Sequence, residues 1–143
     1  MNNFQKVDNE SFKANERNDC AVKAIAIACN VPYKVAHRCL EKYAGRKHRR
    51  GTMTRFINGS IKKLGFDVTP HDVTAKTITT IARDTAVQDG FYVVYVRGHM
   101  AAIVNGQIED WTEGKRHRVK SVYKVTPSKS RAERKSIMKQ LFN

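Results

Sequence analysis

The sequence predicts an α+β domain in which helices come first and an antiparallel β-sheet follows. Helical apolar patterns and helix-capping residues dominate the first half of the chain, whereas β-prone runs and turn residues dominate the second half. Helices and strands do not alternate, as they would in a parallel βαβ sheet. Because 143 residues are enough to bury one hydrophobic core, we expect residues 1–143 to form a single domain.

The most apolar segment of the first half is NDCAVKAIAIACN, residues 18–30. It is apolar nearly all round, which is typical of a helix buried inside a domain. Asn18 or Asp19 is available to cap its first turn. The preceding residues 1–14 are polar and follow neither a helical nor a strand period, so we expect them to form a loosely ordered N-terminal arm.

Two more helices are predicted before the strands begin. Residues 33–43 form the second helix, which ends near Gly45. The third begins after a basic loop, with Thr52 or Thr54 as its cap. Residues 75–86, AKTITTIARDTA, favour a helix more weakly, because their threonines suit a strand equally well.

The second half of the chain carries the strands. Residues 91–96, FYVVYV, form a continuous β-prone run that predicts a central strand, and residues 100–104 predict the next one. Asn105-Gly106 is a strong signal for a two-residue hairpin loop. A further strand is predicted over residues 119–125, and a basic amphipathic helix over residues 127–143.

The composition restricts the functional classes. Lys and Arg number 27 against 13 Asp and Glu, a formal charge of +14 that attracts nucleic acid or acidic protein surfaces. The three cysteines lack a CxxC spacing and no histidine pair has the spacing of a zinc site, so we expect no disulfide framework, no metal and no cofactor. No apolar run approaches the roughly 20 residues that cross a bilayer, so we expect no membrane partner and a cytoplasmic location.

Cys20 is the candidate nucleophile because it begins the predicted buried helix. Unpaired backbone amides and the helix dipole favour a negative charge there, and hence a thiolate. A reactive cysteine needs this thiolate character together with exposure of its sulfur. The alternative is that Cys20 is a small packing residue, as we expect Cys29 and Cys39 to be from their positions on apolar helical faces.

The predicted hairpin places a histidine beside an acid. With Asn105-Gly106 as a two-residue loop, Ala101 lies opposite Asp110. Strand alternation then makes His99 and Asp110 diagonal neighbours on one face, about 7 to 8 Å apart at the backbone, and their side chains can bridge that distance. The carboxylate would orient the imidazole toward a thiol. A slip of one residue in the pairing would present Glu109 to the histidine in place of Asp110. The alternative interpretation of His99 is an ordinary surface histidine.

The segments NDCAVKAIAIA and GHMAAIVNGQIEDW together resemble the papain-like cysteine peptidases in their compact bacterial and phage-borne forms, including the peptidase domains of bacteriocin exporters. The resemblance implies a papain-like fold in which the helix bearing the nucleophile packs on the antiparallel sheet. It also implies Cys20 as the nucleophile, His99 as the general base and acid, and Asp110 as the residue that orients His99. The implied activity is hydrolysis of a protein or peptide through an acyl-enzyme, by a phage protein acting in the host cytoplasm.

The sequence departs from this family at the oxyanion hole. The family usually has a glutamine some six residues before the cysteine, where this chain has Ala14. Asn15 or Asn18 could replace it, together with the backbone amide of Cys20. Without such a donor the scaffold would catalyse slowly or would serve only for binding.

Basic runs support an alternative function without catalysis. Side chains suited to phosphates or to an acidic partner lie in two runs, and these are Arg46, Lys47, Arg49, Arg50, Lys115, Arg116 and Arg118. If they converge on one face, they would bind nucleic acid with strong salt dependence, or bind an acidic host protein. Basic runs are often only solvated surface, and no zinc-finger, RNP or KH signature indicates base-specific recognition.

Overall fold

The structure is a computed structural model that describes residues 3–143, and it consists of six α-helices, one 3-10 helix and a five-stranded sheet. The helices are α1 (Asn3–Lys13), α2 (Cys20–Ala28), α3 (Tyr33–Ala44), α4 (Thr54–Lys63), α5 (Ile78–Ile81) and α6 (Arg131–Gln140), and the 3-10 helix spans Thr85–Val87. The strands are β1 (Phe66–Pro70), β2 (Phe91–Val96), β3 (His99–Val104), β4 (Gln107–Glu109) and β5 (Val119–Pro127). Their order is β1-β5-β2-β3-β4 with every neighbouring pair antiparallel, which confirms the predicted α+β class.

α2 is the buried helix that the sequence predicts. Seven of its nine residues are buried, because small and branched apolar side chains surround its axis. The helix packs against β3, whose Met100 and Ala102 belong to the same core cluster. Removing one side chain such as that of Ile25 from water contributes about 1.5–3 kcal/mol. This packing holds α2, with Cys20 at its start, against the strand that begins with His99.

β2 lies in the middle of the sheet, as its continuous apolar run predicts. Strand alternation sends Val93 into the large core beneath α2, α3 and α4. Tyr92 and Val94 enter a second core on the opposite face, beneath Ile78 and Ile81 of α5. Because both faces of the sheet are covered, β2 has no polar side.

The β3–β4 hairpin has the predicted register. Val104 pairs with Gln107 and Ala102 with Glu109 across the two-residue loop. Asn105 and Gly106 both have positive φ angles, 48° and 82°, which asparagine and glycine adopt more readily than other residues. Pairing ends at Glu109, so Asp110 follows directly after β4.

The largest difference from the sequence-based prediction is α1. Residues 3–13 form a helix, so the expectation of a loosely ordered arm over residues 1–14 is wrong there; residues 1 and 2 lie outside the described part. Val7 and Ser11 are buried, and Phe4 packs against the large core. A helix with so few apolar positions owes its stability to packing on its neighbours, and its own sequence pattern therefore did not reveal it.

The C-terminal elements also shift. The predicted helix over residues 127–143 begins at Arg131, because β5 continues to Pro127. Ser130 caps this helix by accepting a hydrogen bond from the amide of Glu133 at 3.1 Å. β5 extends this far because it pairs with β1 (Phe66–Pro70), a strand that the sequence pattern did not predict.

The predicted third helix and the weaker helix over residues 75–86 both form, with differences at their caps and bounds. α4 begins at Thr54 with Met53 as its N-cap and no side-chain cap, so the expectation of a threonine cap is wrong. Residues 75–86 hold α5 and the start of the 3-10 helix. The first turn of α5 is capped by Thr77 and Thr80, whose side chains each bond the other's backbone amide. The threonines of this segment therefore favour a short helix by capping it.

Candidate active site

Cys20 is the first residue of α2 and is partly exposed. Asp19 precedes it at the N-cap position, but the Asp19 side chain does not cap the helix. Its buried carboxylate instead accepts hydrogen bonds from the hydroxyls of Ser11 and Tyr33, both at 2.6 Å. The expected cap by Asn18 or Asp19 is therefore wrong, and the first amides of α2 remain open to a negative charge at Cys20.

His99 and Asp110 form the contact that the hairpin register predicts. His99 Nε2 lies 2.7 Å from Asp110 Oδ2. The same oxygen accepts hydrogen bonds from the amide and hydroxyl of Thr112, at 3.1 and 2.6 Å. Glu109, the reserve candidate, instead accepts a hydrogen bond from the amide of Phe4 at 3.4 Å. The register thus presents Asp110 to the imidazole, and Thr112 holds the carboxylate in place.

The acid–base behaviour of His99 follows from its neighbours. Burial lowers the pKa of His99, but hydrogen bonds to Asp110 and Cys20, together with their negative charges, outweigh burial and raise it from 6.5 to about 9. His99 is therefore an imidazolium at neutral pH. Because Nε2 is bonded to Asp110, Nδ1 is the nitrogen left for the Cys20 thiol. A cationic imidazole beside the sulfur favours the thiolate.

This pKa makes the stability of the protein depend on pH. Between pH 6.5 and about 9 the folded protein keeps a proton on His99 that the unfolded chain releases. The stabilisation is fully present below pH 6.5 and is lost as the pH rises through about 9; it amounts to roughly 3 kcal/mol. In urea unfolding, we expect the wild type to have a larger free energy of unfolding than His99→Gln. This difference should be ~2–3 kcal/mol larger below pH 6.5 than above about pH 9. An equal difference at both ends of this range would contradict the raised pKa.

Trp111 lies over the imidazole and not in the core. Its indole is 5.1 Å from the His99 ring, and the His117 ring packs edge-on against the indole at 5.6 Å. The Trp111 side chain remains 54% exposed. Trp111 therefore contacts the His99 ring from a position outside the core.

A cleft crosses the three residues. A cavity of about 460 Å³ lies on one side of Cys20, between α1 and Trp111, and one of about 260 Å³ lies on the other side, against α4 and β2. The two cavities share four lining residues, which are Asn18, Cys20, Gly98 and His99. The thiol and the imidazole therefore stand where the two halves of the cleft meet, and an extended chain crossing the cleft would pass both groups.

The other two cysteines are packing residues, as predicted. Cys29 and Cys39 are both buried in the large core. Burial raises the pKa of the Cys39 thiol to about 12, and burial together with the nearby Cys39 raises the pKa of the Cys29 thiol far above its usual range. Both stay protonated at neutral pH, so Cys20 differs from them in exposure and in having an imidazole partner.

The two oxyanion candidates differ in position. Asn18 lines both cavities beside Cys20, and its Nδ2 donates a hydrogen bond to the backbone carbonyl of Arg49 at 3.2 Å. Asn15 lines neither cavity and is exposed at the turn after α1. Only Asn18 is therefore placed to act together with the backbone amide of Cys20.

Arg46 does not belong to the basic surface, and its assignment to phosphate or acidic-partner binding is wrong. Its guanidinium donates to both carboxylate oxygens of Glu16, at 3.2 and 3.0 Å, and both side chains are 0% exposed. The bonds from Arg46, His37 and the Arg49 amide outweigh burial and hold the pKa of Glu16 well below its usual range. The other predicted basic residues are exposed, and they are Lys47, Arg49, Arg50, Lys115, Arg116 and Arg118.

The same carboxylate belongs to a group with metal-ligating side chains. One ligand atom each of Glu16, His37 and His48 lies within 4.8 Å of the others, a proximity that the sequence spacing did not indicate. Arg46 already binds the Glu16 carboxylate, and its positive charge would repel a metal cation. The group therefore fits an ion-pair network better than a metal centre.

A further cavity, of about 490 Å³, lies at the C-terminal end of α2 beneath α6, and neither Cys20 nor His99 lines it. Within residues 3–143, the helices are all too short or too polar to cross a bilayer.

No protein-family model matches this chain, and no curated protein or solved structure does either.

Proposed function

We propose that this protein is a papain-like cysteine hydrolase, specifically a peptidase that works through a Cys20–His99–Asp110 triad. The observation that carries the proposal is the 2.7 Å contact between His99 and Asp110 beside the partly exposed Cys20, at the centre of an open cleft. A nucleophile, a base and an orienting carboxylate in this order are what acyl transfer requires. The resemblance to phage and bacterial peptidases leads us to propose that it acts in a bacterial cytoplasm.

The chemistry would proceed in two halves. The Cys20 thiolate attacks the carbonyl carbon of the peptide bond, and the carbonyl π electrons move to oxygen. As the intermediate collapses, the C–N bond breaks, the leaving amine takes the proton of the His99 imidazolium, and a thioester to Cys20 remains. Neutral His99 then takes a proton from water, whose oxygen attacks the thioester. Cleavage of the C–S bond releases the acid and restores the thiolate and the imidazolium.

The negative oxygen of each intermediate needs hydrogen-bond donors. The backbone amide of Cys20 would supply one, because it belongs to the uncapped first turn of α2. Asn18 would supply the second through the Nδ2 hydrogen that its bond to the Arg49 carbonyl leaves free. Asp110 keeps the imidazole ring oriented through both halves of the reaction.

A thiol-directed acylating probe tests the proposal. We expect labelling of Cys20 at neutral pH at least ~100-fold faster than of Cys29 or Cys39, because those thiols are buried and protonated. His99→Ala should suppress labelling while leaving the far-UV circular dichroism spectrum unchanged. Peptide mapping by mass spectrometry identifies the labelled residue. Comparable labelling of the three thiols would contradict an activated Cys20.

A second candidate function is binding without catalysis, through the basic runs. The observation that favours it is that both runs are exposed beside the same cleft, with Gly51 at the end of the first run lining one cavity and His117 of the second packed on Trp111. The partner would then be nucleic acid or an acidic host protein. In this alternative, Cys20→Ala leaves partner binding unchanged.

A further inference from the structure

The first basic run lies at one rim of the cleft. The cationic side chains of residues 47–50 are exposed, and Gly51 directly after them lines the smaller cavity. The run is also anchored to the cleft, because the backbone carbonyl of Arg49 accepts a hydrogen bond from Asn18 at 3.2 Å. Asn18 in turn lines both cavities beside Cys20. The loop that carries these cations is therefore bonded to a residue that lines the cleft beside Cys20.

The second basic run lies beside the larger cavity. Residues 115–118 follow the turn that carries Trp111, and their Lys and Arg side chains are exposed. His117 in this run packs against the Trp111 indole, which lines the larger cavity and covers His99. The two runs are far apart in the sequence, and the fold brings each of them next to one of the two cavities.

Charge pairing in and around the cleft is unequal. The four acids that line the larger cavity contact three cations, with Asp8 and Asp19 sharing one of them; the pairs are Asp8–Lys23, Asp19–Lys23, Glu16–Arg46 and Asp110–His99. By contrast, within residues 3–143 the exposed Lys and Arg side chains of the two runs form no ion pair. One exposed acid, Glu113, precedes the second run. The net uncompensated charge beside the cleft is therefore positive.

We propose that the substrate of this site is an acidic polypeptide segment, with Asp or Glu residues on both sides of the bond that Cys20 attacks. The inference rests on the proposed hydrolase function and adds the class of substrate. A chain that crosses Cys20 from one cavity to the other runs past Gly51 of the first run and past Trp111, on which His117 of the second run packs. The exposed cations of both runs would attract carboxylates in such a chain, because exposed charges act over roughly 8–10 Å at moderate salt.

A polypeptide accounts for the arrangement better than a nucleic acid does. Both runs adjoin the cleft that holds the thiol and the imidazole, the first through Gly51 in the smaller cavity and the second through the packing of His117 on Trp111. A thiolate attacks an acyl carbon, which a polypeptide offers in every peptide bond and a nucleic acid backbone lacks. Binding of nucleic acid at the same runs is therefore the outcome of the test that competes with binding of an acidic polypeptide.

The test compares internally quenched peptides that share a randomised uncharged centre and carry either three Glu or three Lys on each side. We expect the full-length protein to cleave the Glu-flanked set with a kcat/KM about 10-fold or more above the Lys-flanked set at low ionic strength. The ratio should fall toward one as salt rises to about 0.5 M, because salt screens exposed charges.

Charge variants show whether the two runs cause the preference. The double variant Arg50→Glu, Arg116→Glu should abolish or invert the ratio. Glu113→Gln should raise it, because the change removes a negative charge beside the second run. The matched control is Arg131→Glu, Lys135→Glu, an equal charge reversal on exposed positions of α6, which packs at the other end of α2, roughly 12 Å along its axis from Cys20. The control should leave the ratio unchanged.

A binding measurement separates the failure of each proposal. Fluorescence anisotropy of a labelled Glu-flanked peptide with Cys20→Ala reports binding without hydrolysis. Suppose that the peptide binds in a salt-sensitive way, that Arg50→Glu, Arg116→Glu abolishes this binding, and that the wild type cleaves nothing. This result would overturn the hydrolase function but support the inference that the ligand is an acidic polypeptide. If cleavage depends on Cys20 but is equally fast for the Glu-flanked and Lys-flanked peptides, the acidic-substrate inference is overturned and the hydrolase function stands. Binding of a mixed-sequence single-stranded RNA more than about 10-fold tighter than the peptide would also overturn the acidic-substrate inference, in favour of nucleic acid.

Discussion

Asp110→Asn should lower the Cys20-dependent rate of peptide cleavage or acyl-probe labelling by on the order of 10²–10⁴-fold. The carboxylate accepts a hydrogen bond from His99 Nε2 at 2.7 Å, and this contact keeps Nδ1 as the nitrogen that faces the thiol. An amide at the same position can donate to Nε2, which would favour the other tautomer of the ring and remove the charge that stabilises the imidazolium. The rate constant of Cys20 labelling, followed by mass spectrometry, measures the effect.

Glu109→Gln is the matched control for this substitution. It changes the neighbouring acid in the same way, but the Glu109 carboxylate contacts the amide of Phe4 on α1. We expect its labelling rate to stay within about threefold of wild type. Equal losses in the two variants would mean that Asp110 acts only through the stability of the hairpin. A large loss in Glu109→Gln alone would mean that Glu109, and not Asp110, orients His99.

Glu16→Gln should lower the free energy of unfolding by about 3–5 kcal/mol. Arg46 is buried with its side chain 0% exposed, and the Glu16 carboxylate is its charged partner. Its Nε already lacks a hydrogen-bond partner within residues 3–143, so the neutral amide would leave a poorly compensated buried cation. Urea unfolding monitored by circular dichroism gives the change directly.

Two variants distinguish this effect from a general sensitivity of the region. Glu41→Gln removes a carboxylate that also contacts His37 but has a 37% exposed side chain, and it should cost less than about 1 kcal/mol. The double change Glu16→Leu, Arg46→Met removes both buried charges and should recover most of the stability lost in Glu16→Gln. A loss below about 1 kcal/mol in Glu16→Gln would show that water reaches Arg46 and compensates its charge.

The relation of His99 to Asp110 could be predicted because it depends on local geometry. A two-residue Asn-Gly loop determines which residues of the flanking strands face each other, and alternation determines which of them share a face. A short segment of sequence therefore contains all the information needed to bring the imidazole and the carboxylate together. The burial of α2 could be predicted for a similar reason, since its composition leaves no polar side.

Contacts between distant segments could not be predicted in this way. Arg46 belongs to a run of cationic residues that has the composition of a solvated surface, and its burial depends on Glu16 from a separate loop. α1 resembles a polar arm because only a few of its side chains reach the core. β1 needs β5 as its pairing partner. In each case the stabilising partner is absent from the local pattern.

The sequence by itself determined the α+β class, the buried helix that begins at Cys20, and the pairing of His99 with Asp110, because helix burial and hairpin register follow from short-range periodicity and turn geometry. Only the tertiary structure decided that Cys20 and His99 line the same two cavities, that the Arg46 side chain is buried against Glu16, and that each basic run adjoins one of those cavities. Those arrangements result from the packing of α2 on β3 and of the loops around it, where residues remote in the chain are brought within a few ångströms of each other.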